Sequence, residues 1–201
     1  MSYVKSAAIV AVCSISLAGT PVAARAQMTK DKIGVANSEA LLNAESKAIE
    51  KLGRDPVIVA AVRAQNAKKA TLAEIQEVDR AWMANSGVDA RMKQLMSNAC
   101  ADRLKSFLEA HPAYSESFAM DNQGANVCMT DKTSDYWQGD EAKWQKSFAG
   151  GKGAVFVDKA KYDTSAKALL AQISVPVMDG GVAIGAITVG VNLKQLESSK
   201  K

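Results

Sequence analysis

Apolar positions recur at helical spacing through the first half of the chain and alternate over short runs through the second, which predicts helices followed by a sheet. Leu41, Ala44, Ala48, Ile49 and Leu52 make one helical stripe that stops at Gly53. Asp55 then caps a new start with Pro56 in its first turn, and "VIVAAVRAQNAKK" continues it. Thr71 and Glu74 form a capping box ahead of Ile75, Val78 and Trp82, so a further helix should end near Asn85 to Gly87. One last helix is expected from Asp89 to Ala110. It closes at His111, because Pro112 disfavours helical backbone in the residue before it.

Beyond Pro112 the period changes. "YSESFAMD" and "ANVCMT" flank Asn122-Gln123-Gly124, "GAVFVD" follows a glycine cluster, and "ALLAQISVPV" and "VAIGAITVGVNL" flank Asp179-Gly180-Gly181. These runs predict about five strands, antiparallel because two of the connections are tight hairpins. The expected fold class is therefore α+β, with N-terminal helices covering one face of the sheet. With Asp179-Gly180 as a two-residue turn, Ser174 shares its face with Gly185, and a polar residue beside a glycine suits a cavity wall.

Between the second and third strands lies "TSDYWQGDEAKWQKSF" (133 to 148). It holds two of the three tryptophans and one of the four tyrosines, beside charges and interrupted by Gly139. Two readings stand. The rings wall a small cavity over the second face of the sheet, or they are burial alone, since indole and phenol groups pack well in any lid.

The first 26 residues alter the picture of where the chain works. Lys5, the apolar run "AAIVAVCSISLA" and Ala24-Arg25-Ala26 read as a secretory signal peptide cleaved before Gln27. Twelve apolar residues are too few to span a bilayer, and no later run reaches the eighteen or so that would. About 175 residues then remain, enough for one domain over 27–201, with a helical part 35–111 and a sheet part 114–193. Lys5 and Arg25 leave with the leader, so the 25 basic residues fall by two against 21 acidic ones. That balance does not suggest a nucleic-acid partner. A periplasmic or secreted chain with no membrane insertion after processing is expected.

Export also bears on Cys100 and Cys128. An oxidising compartment favours a bridge between them, whereas Cys100 equally fits the stripe Met92, Met96, Cys100, Leu104, Leu108 as a buried thiol. Both readings are open at this level.

The order "FAMDNQGANVCMTDKTSDYW", then "GDEAKWQKSF", then "GKGAVFVD", then "ISVPVMDGGVAIGAITVGVNL" resembles the Cache (PDC sensor) domains, PAS-like extracytoplasmic modules of bacterial chemoreceptors and sensor kinases. The resemblance covers residues 35 to 193. It implies a long N-terminal helix on one face of the sheet and a ligand pocket on the other, beneath the insert. It places Tyr136, Trp137 and Trp144 where relatives carry pocket aromatics. Amino-acid-binding relatives commonly hold the ligand carboxylate with an arginine just before the Trp-Tyr pair, but here no arginine follows Arg103. A carboxylate ligand would need Lys143, Lys146 or backbone groups. An ammonium ligand would gain from the rings, with Asp131 or Asp135 completing the charge match. The candidate ligand-binding set is thus Asp131, Asp135, Tyr136, Trp137, Trp144 and Ser174.

Enzymatic chemistry finds little footing. The single histidine, His111, precedes a proline at a helix end, and no triad order, metal-type Cys/His spacing or P-loop is present. Neither a cofactor nor a metal is expected. The reading is a stand-alone exported sensor or binding domain for a small molecule, a small amine or an organic acid. It would signal through, or deliver to, a partner such as a membrane receptor. The alternative is an interaction or dimerisation module whose pocket is packed shut.

Overall fold

Helices in the first half start where a side chain captures a free backbone N–H. A computed structural model describes residues 39–163 and 168–199; the expected leader and its cleavage point before Gln27 lie outside the described residues. Helix α1 covers 39–52. Helix α2, Pro56–Ala67, begins with Asp55 accepting from the Val57 N–H at 3.0 Å. The capping box of Thr71 and Glu74 starts α3, Leu72–Ala84.

The expected single helix from Asp89 to Ala110 is two helices. Asp89 accepts from the Met92 N–H and starts α4, Ala90–Met96, while Asn98 accepts from the Ala101 N–H at 2.9 Å and starts α5, Ala99–Glu109. Asn98 also donates to the Val127 carbonyl at 3.1 Å. An amide that caps one helix and ties it to a strand is worth more than continued helix, so the stripe from Met92 to Leu108 is broken in the middle.

The strands are β1 (Tyr114–Met120), β2 (Asn126–Met129), β3 (Phe156–Val157), β4 (Lys161–Asp163), β5 (Ala168–Asp179) and β6 (Val182–Asn192). They form one antiparallel sheet in the order β2-β1-β6-β5-β3, with β4 also paired to β5. β4 is the strand beyond the five expected. Its three residues are too short for periodicity to reveal. The β5–β6 turn is Gly180-Gly181, both at positive φ (57° and 87°), and Asp179 pairs with Val182. A further register shift lies between Val177 and Met178. Together these place Ser174 opposite Thr188 rather than in line with Gly185.

Alternation sends Ala119, Ile173, Val175, Ile187 and Val189 to one face. There they pack with Ile49 and Leu52 of α1, Ile58 and Val62 of α2, Leu104 of α5, and Leu193 and Leu196 of the last helix. Each fully buried Leu, Ile or Val contributes about 1.5–3 kcal/mol to this layer. Phe118, Met120 and Ala186 take the opposite face and join Ile75, Trp82, Met92, Met129 and Tyr136 in a second cluster. Helix α6, Ala142–Phe148, lies over that face, and α7, Leu193–Ser199, follows β6. A disulfide joins Cys100 of α5 to Cys128 of β2, with Cα atoms 5.8 Å apart.

Candidate functional site

Helix α2 carries Val57, Ala60, Ala61 and Ala64, positions three and four apart that share one side of a helix. Methyl groups reach too short a distance to fill the space between this side and α3, α4 and the start of α5. What remains is a cavity of about 860 Å³. That lies within the roughly 300–1,000 Å³ of small-molecule sites. Ile75 and Val78 of α3 and Leu95 of α4 face it across from the alanines. Its floor is buried: Cys100, Ile75 and Tyr136 are 2%, 2% and 5% exposed. Its rim is wet, with Lys68, Glu74, Arg91 and Gln94 exposed. A second hollow of about 200 Å³ shares Val78 and Arg91 with it.

The outer wall, α3, is fastened by its C-terminal half. Asp79 accepts from the Tyr136 and Trp137 N–H groups at 2.8 and 2.9 Å, and the Trp82 indole N–H donates to the Thr133 carbonyl at 2.9 Å. Trp82 and Tyr136 rings lie 5.7 Å apart. Lys132 closes the far end by donating to the carbonyls of Asn85 and Gly87.

Tyr136 supplies the polar end of the floor. Gln65 donates to its hydroxyl at 3.4 Å. Burial, and next the Asp121 carboxylate, push its pKa above the ordinary phenol value, while the Arg91 guanidinium and Gln65 act against them. Asp121 itself is 3% exposed; burial raises its pKa, opposed chiefly by the N–H groups of Gln123 and Ala125, which it accepts at 2.8 and 2.9 Å.

The six residues named from the sequence do not converge on this cavity. Tyr136 lines it. Trp137 donates its indole N–H to the Gln123 carbonyl at 2.8 Å, and Trp144 donates to the Asp121 carbonyl at 3.0 Å, so both stitch the insert to the β1–β2 turn. Gly124 and Gly139 permit that approach: a Cβ on Gly124 would lie 2.4 Å from the Gly139 Cα. The Asp135 side chain accepts from Ser134 and Gln138, and its carbonyl from Asn126 and Thr133. Asp131 is exposed. Ser174 is fully buried and shares a 2.8 Å hydrogen bond with Thr188.

Helix α6 lies directly against β5 and β6 on the second face, where Ser174 and Thr188 are fully buried. Ser147 is 0% exposed, its hydroxyl turned back to the Lys143 carbonyl. The Lys143 ammonium, on a side chain only 11% exposed, pairs with Glu141 at 3.0 Å and sits 5.2 Å from the Phe118 ring.

The residues that line the cavity without having been singled out are the α2 alanines, Gln65, Lys68 and Arg91. A run of alanines on one side of a helix is their trace in the sequence, but missing volume reads the same as close helix packing. Arg91 was further hidden by the break at Asn98. Among the described residues no helix is long and apolar enough to cross a membrane, and no group of three His, Cys, Asp or Glu side chains is placed to hold a metal.

No family model matches the chain, and no curated protein matches its sequence. Among solved structures it is similar to the sensor domain of the V. cholerae histidine kinase DctB, at 14% identity and TM-score 0.42, over 87% of this chain and 59% of that one. It is also similar to the ligand-binding domain of the Campylobacter jejuni chemoreceptor Tlp3 in complex with 4-methylisoleucine, at 17% identity and TM-score 0.40, over 80% and 62%. A third is the ligand-binding domain of the Pseudomonas aeruginosa amino acid chemoreceptor PctC in complex with GABA, at 13% identity and TM-score 0.36, over 76% and 62%. The chain thus spans about three fifths of the length of these sensor domains.

Proposed function

We propose that the chain is an exported small-molecule-binding domain of the sensory type its sequence resembles, and that its site is the cavity among α2, α3, α4 and α5. The observation that carries this is the cavity's construction, an alanine-walled void with a buried floor and an exposed rim. Tyr136 contacts the ligand in this reading. Trp137, Trp144 and Asp135 hold the insert in place, Ser174 belongs to the sheet core, and Asp131 faces water.

Binding becomes signalling when two states of the domain differ in ligand affinity. Helix α3 is the element to move, because it walls the cavity on one side and grips 132–137 on the other. A partner, such as a membrane receptor, would read that movement. The competing role, an interaction or dimerisation module, draws on the closed packing beneath α6, where Ser147 and Ser174 are fully buried.

Native mass spectrometry of protein recovered from the cell envelope distinguishes the two. A retained metabolite, lost when Ala64→Trp fills the cavity, is the result expected of a binding domain. An empty protein that dimerises cooperatively is the result expected of an interaction module.

A further inference from the structure

Two cations, Lys68 and Arg91, face the mouth of the cavity against one carboxylate on the same rim, Glu74. The Lys68 ammonium donates to the neutral Gln65 side-chain oxygen at 2.9 Å. Neither Lys68 nor Arg91 forms an ion pair among the described residues. The carboxylates nearby keep their charge, and Asp89 lies close enough to Arg91 for the two to interact, but their oxygens are taken by hydrogen-bond donors other than Lys68 and Arg91. Glu74 accepts from the Thr71 N–H and hydroxyl at 2.7 and 2.8 Å, as half of a capping box. Asp89 caps α4 through the Met92 N–H. Asp121 stands behind Tyr136 and Gln65, occupied by two backbone N–H groups.

The mouth therefore carries two cations to one carboxylate, while much of the wall below it is alkyl: Val57, Ala61, Ile75, Val78 and Leu95 offer contact area and no polar partner. A ligand charge placed deep would be desolvated next to Asp121; an anionic group at the rim meets two cations and keeps water on its far side. We infer that the cavity takes an organic anion with an apolar body, its charged group held at the mouth by Lys68 and Arg91 and its body lying along the α2 alanines. This rests on reading the cavity as a binding site. It also moves the guanidinium role onto α4, far in sequence from the aromatic insert, and it turns the expectation of an ammonium ligand around.

Calorimetry with four matched probes tests it: phenylbutyrate, phenylbutylamine, phenylbutanol and butyrate. Phenylbutyrate should bind at least about tenfold more tightly than each of the others, because charge and apolar body both count. Arg91→Gln and Lys68→Gln should each weaken it by about tenfold and leave phenylbutanol unchanged. Added salt should weaken phenylbutyrate alone. Tight binding of phenylbutylamine that Ala64→Trp abolishes would overturn the inference and keep the cavity as a site. Phenylbutyrate binding that Ala64→Trp leaves intact, or no binding by any probe at millimolar concentration, would overturn both.

Discussion

The insert at 133–148 is dense in aromatic rings and closed, whereas the layer built by α2, α3 and α4 is dense in alanine and open. All three tryptophans donate their indole N–H to a backbone carbonyl, Trp82 to Thr133, Trp137 to Gln123 and Trp144 to Asp121. A large rigid side chain with one polar atom is a good fastener, because it fills space and fixes direction together. Alanine does the reverse, and helices that meet through methyl groups leave room when something else holds them apart. Here the insert is what holds α3 away from α2. The aromatic region thus keeps the cavity open without forming most of its wall.

The sharpest way to break this contrast is Trp82→Ala. Trp82 is 2% exposed, and its loss should lower stability by about 3–5 kcal/mol in urea unfolding, since both a large buried ring and the link from α3 to the insert disappear. A loss below about 1 kcal/mol, the ordinary effect of a surface change, would mean the insert does not hold α3. Next comes the double variant Cys100→Ala/Cys128→Ala. It opens a closure over 28 residues that joins the cavity floor to the strand before the insert. About 2–4 kcal/mol should be lost, and wild-type protein under reducing conditions should match the variant.

Asp121→Asn sharpens the account of the buried end. The carboxyl pKa is raised by burial, so the stability it contributes is fully present below the unfolded pKa and is lost as pH rises through the folded one. Asparagine keeps an oxygen for the Gln123 and Ala125 N–H groups and has no charge to bury. The variant's melting temperature should therefore gain on wild type as pH rises from the acid range to neutrality. The smallest stability effect belongs to Ala64→Trp, within about 0.5 kcal/mol because the residue is exposed, although ligand affinity should vanish. Equal melting curves with unequal binding would separate the space from the scaffold.

Much of the fold was legible because its signals are local. Asp55, Thr71 and Glu74 announce helix starts through groups one turn away, and Gly124 marks its hairpin in the same manner. Asn98 was not legible as a cap: its amide competes with helix continuation only because the Val127 carbonyl of β2 is there to receive it. Gly180-Gly181 and Asp179-Gly180 are both acceptable turns on paper, and one step between them changes what Ser174 faces. The bridge between Cys100 and Cys128 needed the meeting of α5 and β2, which no spacing reveals. For the candidate site, ring-rich sequence is conspicuous and empty volume is silent, so Tyr136 was named while Ala60, Ala61 and Ala64 were not.

The most direct measurement is carbon-13 methyl and indole N–H NMR of the folded protein during titration with phenylbutyrate. The account predicts saturable shifts at the methyls of Ala60, Ala61 and Ala64, with the indole signals of Trp137 and Trp144 unmoved. Shifts at those two indoles with the α2 alanines silent would contradict it and place recognition beneath the insert instead.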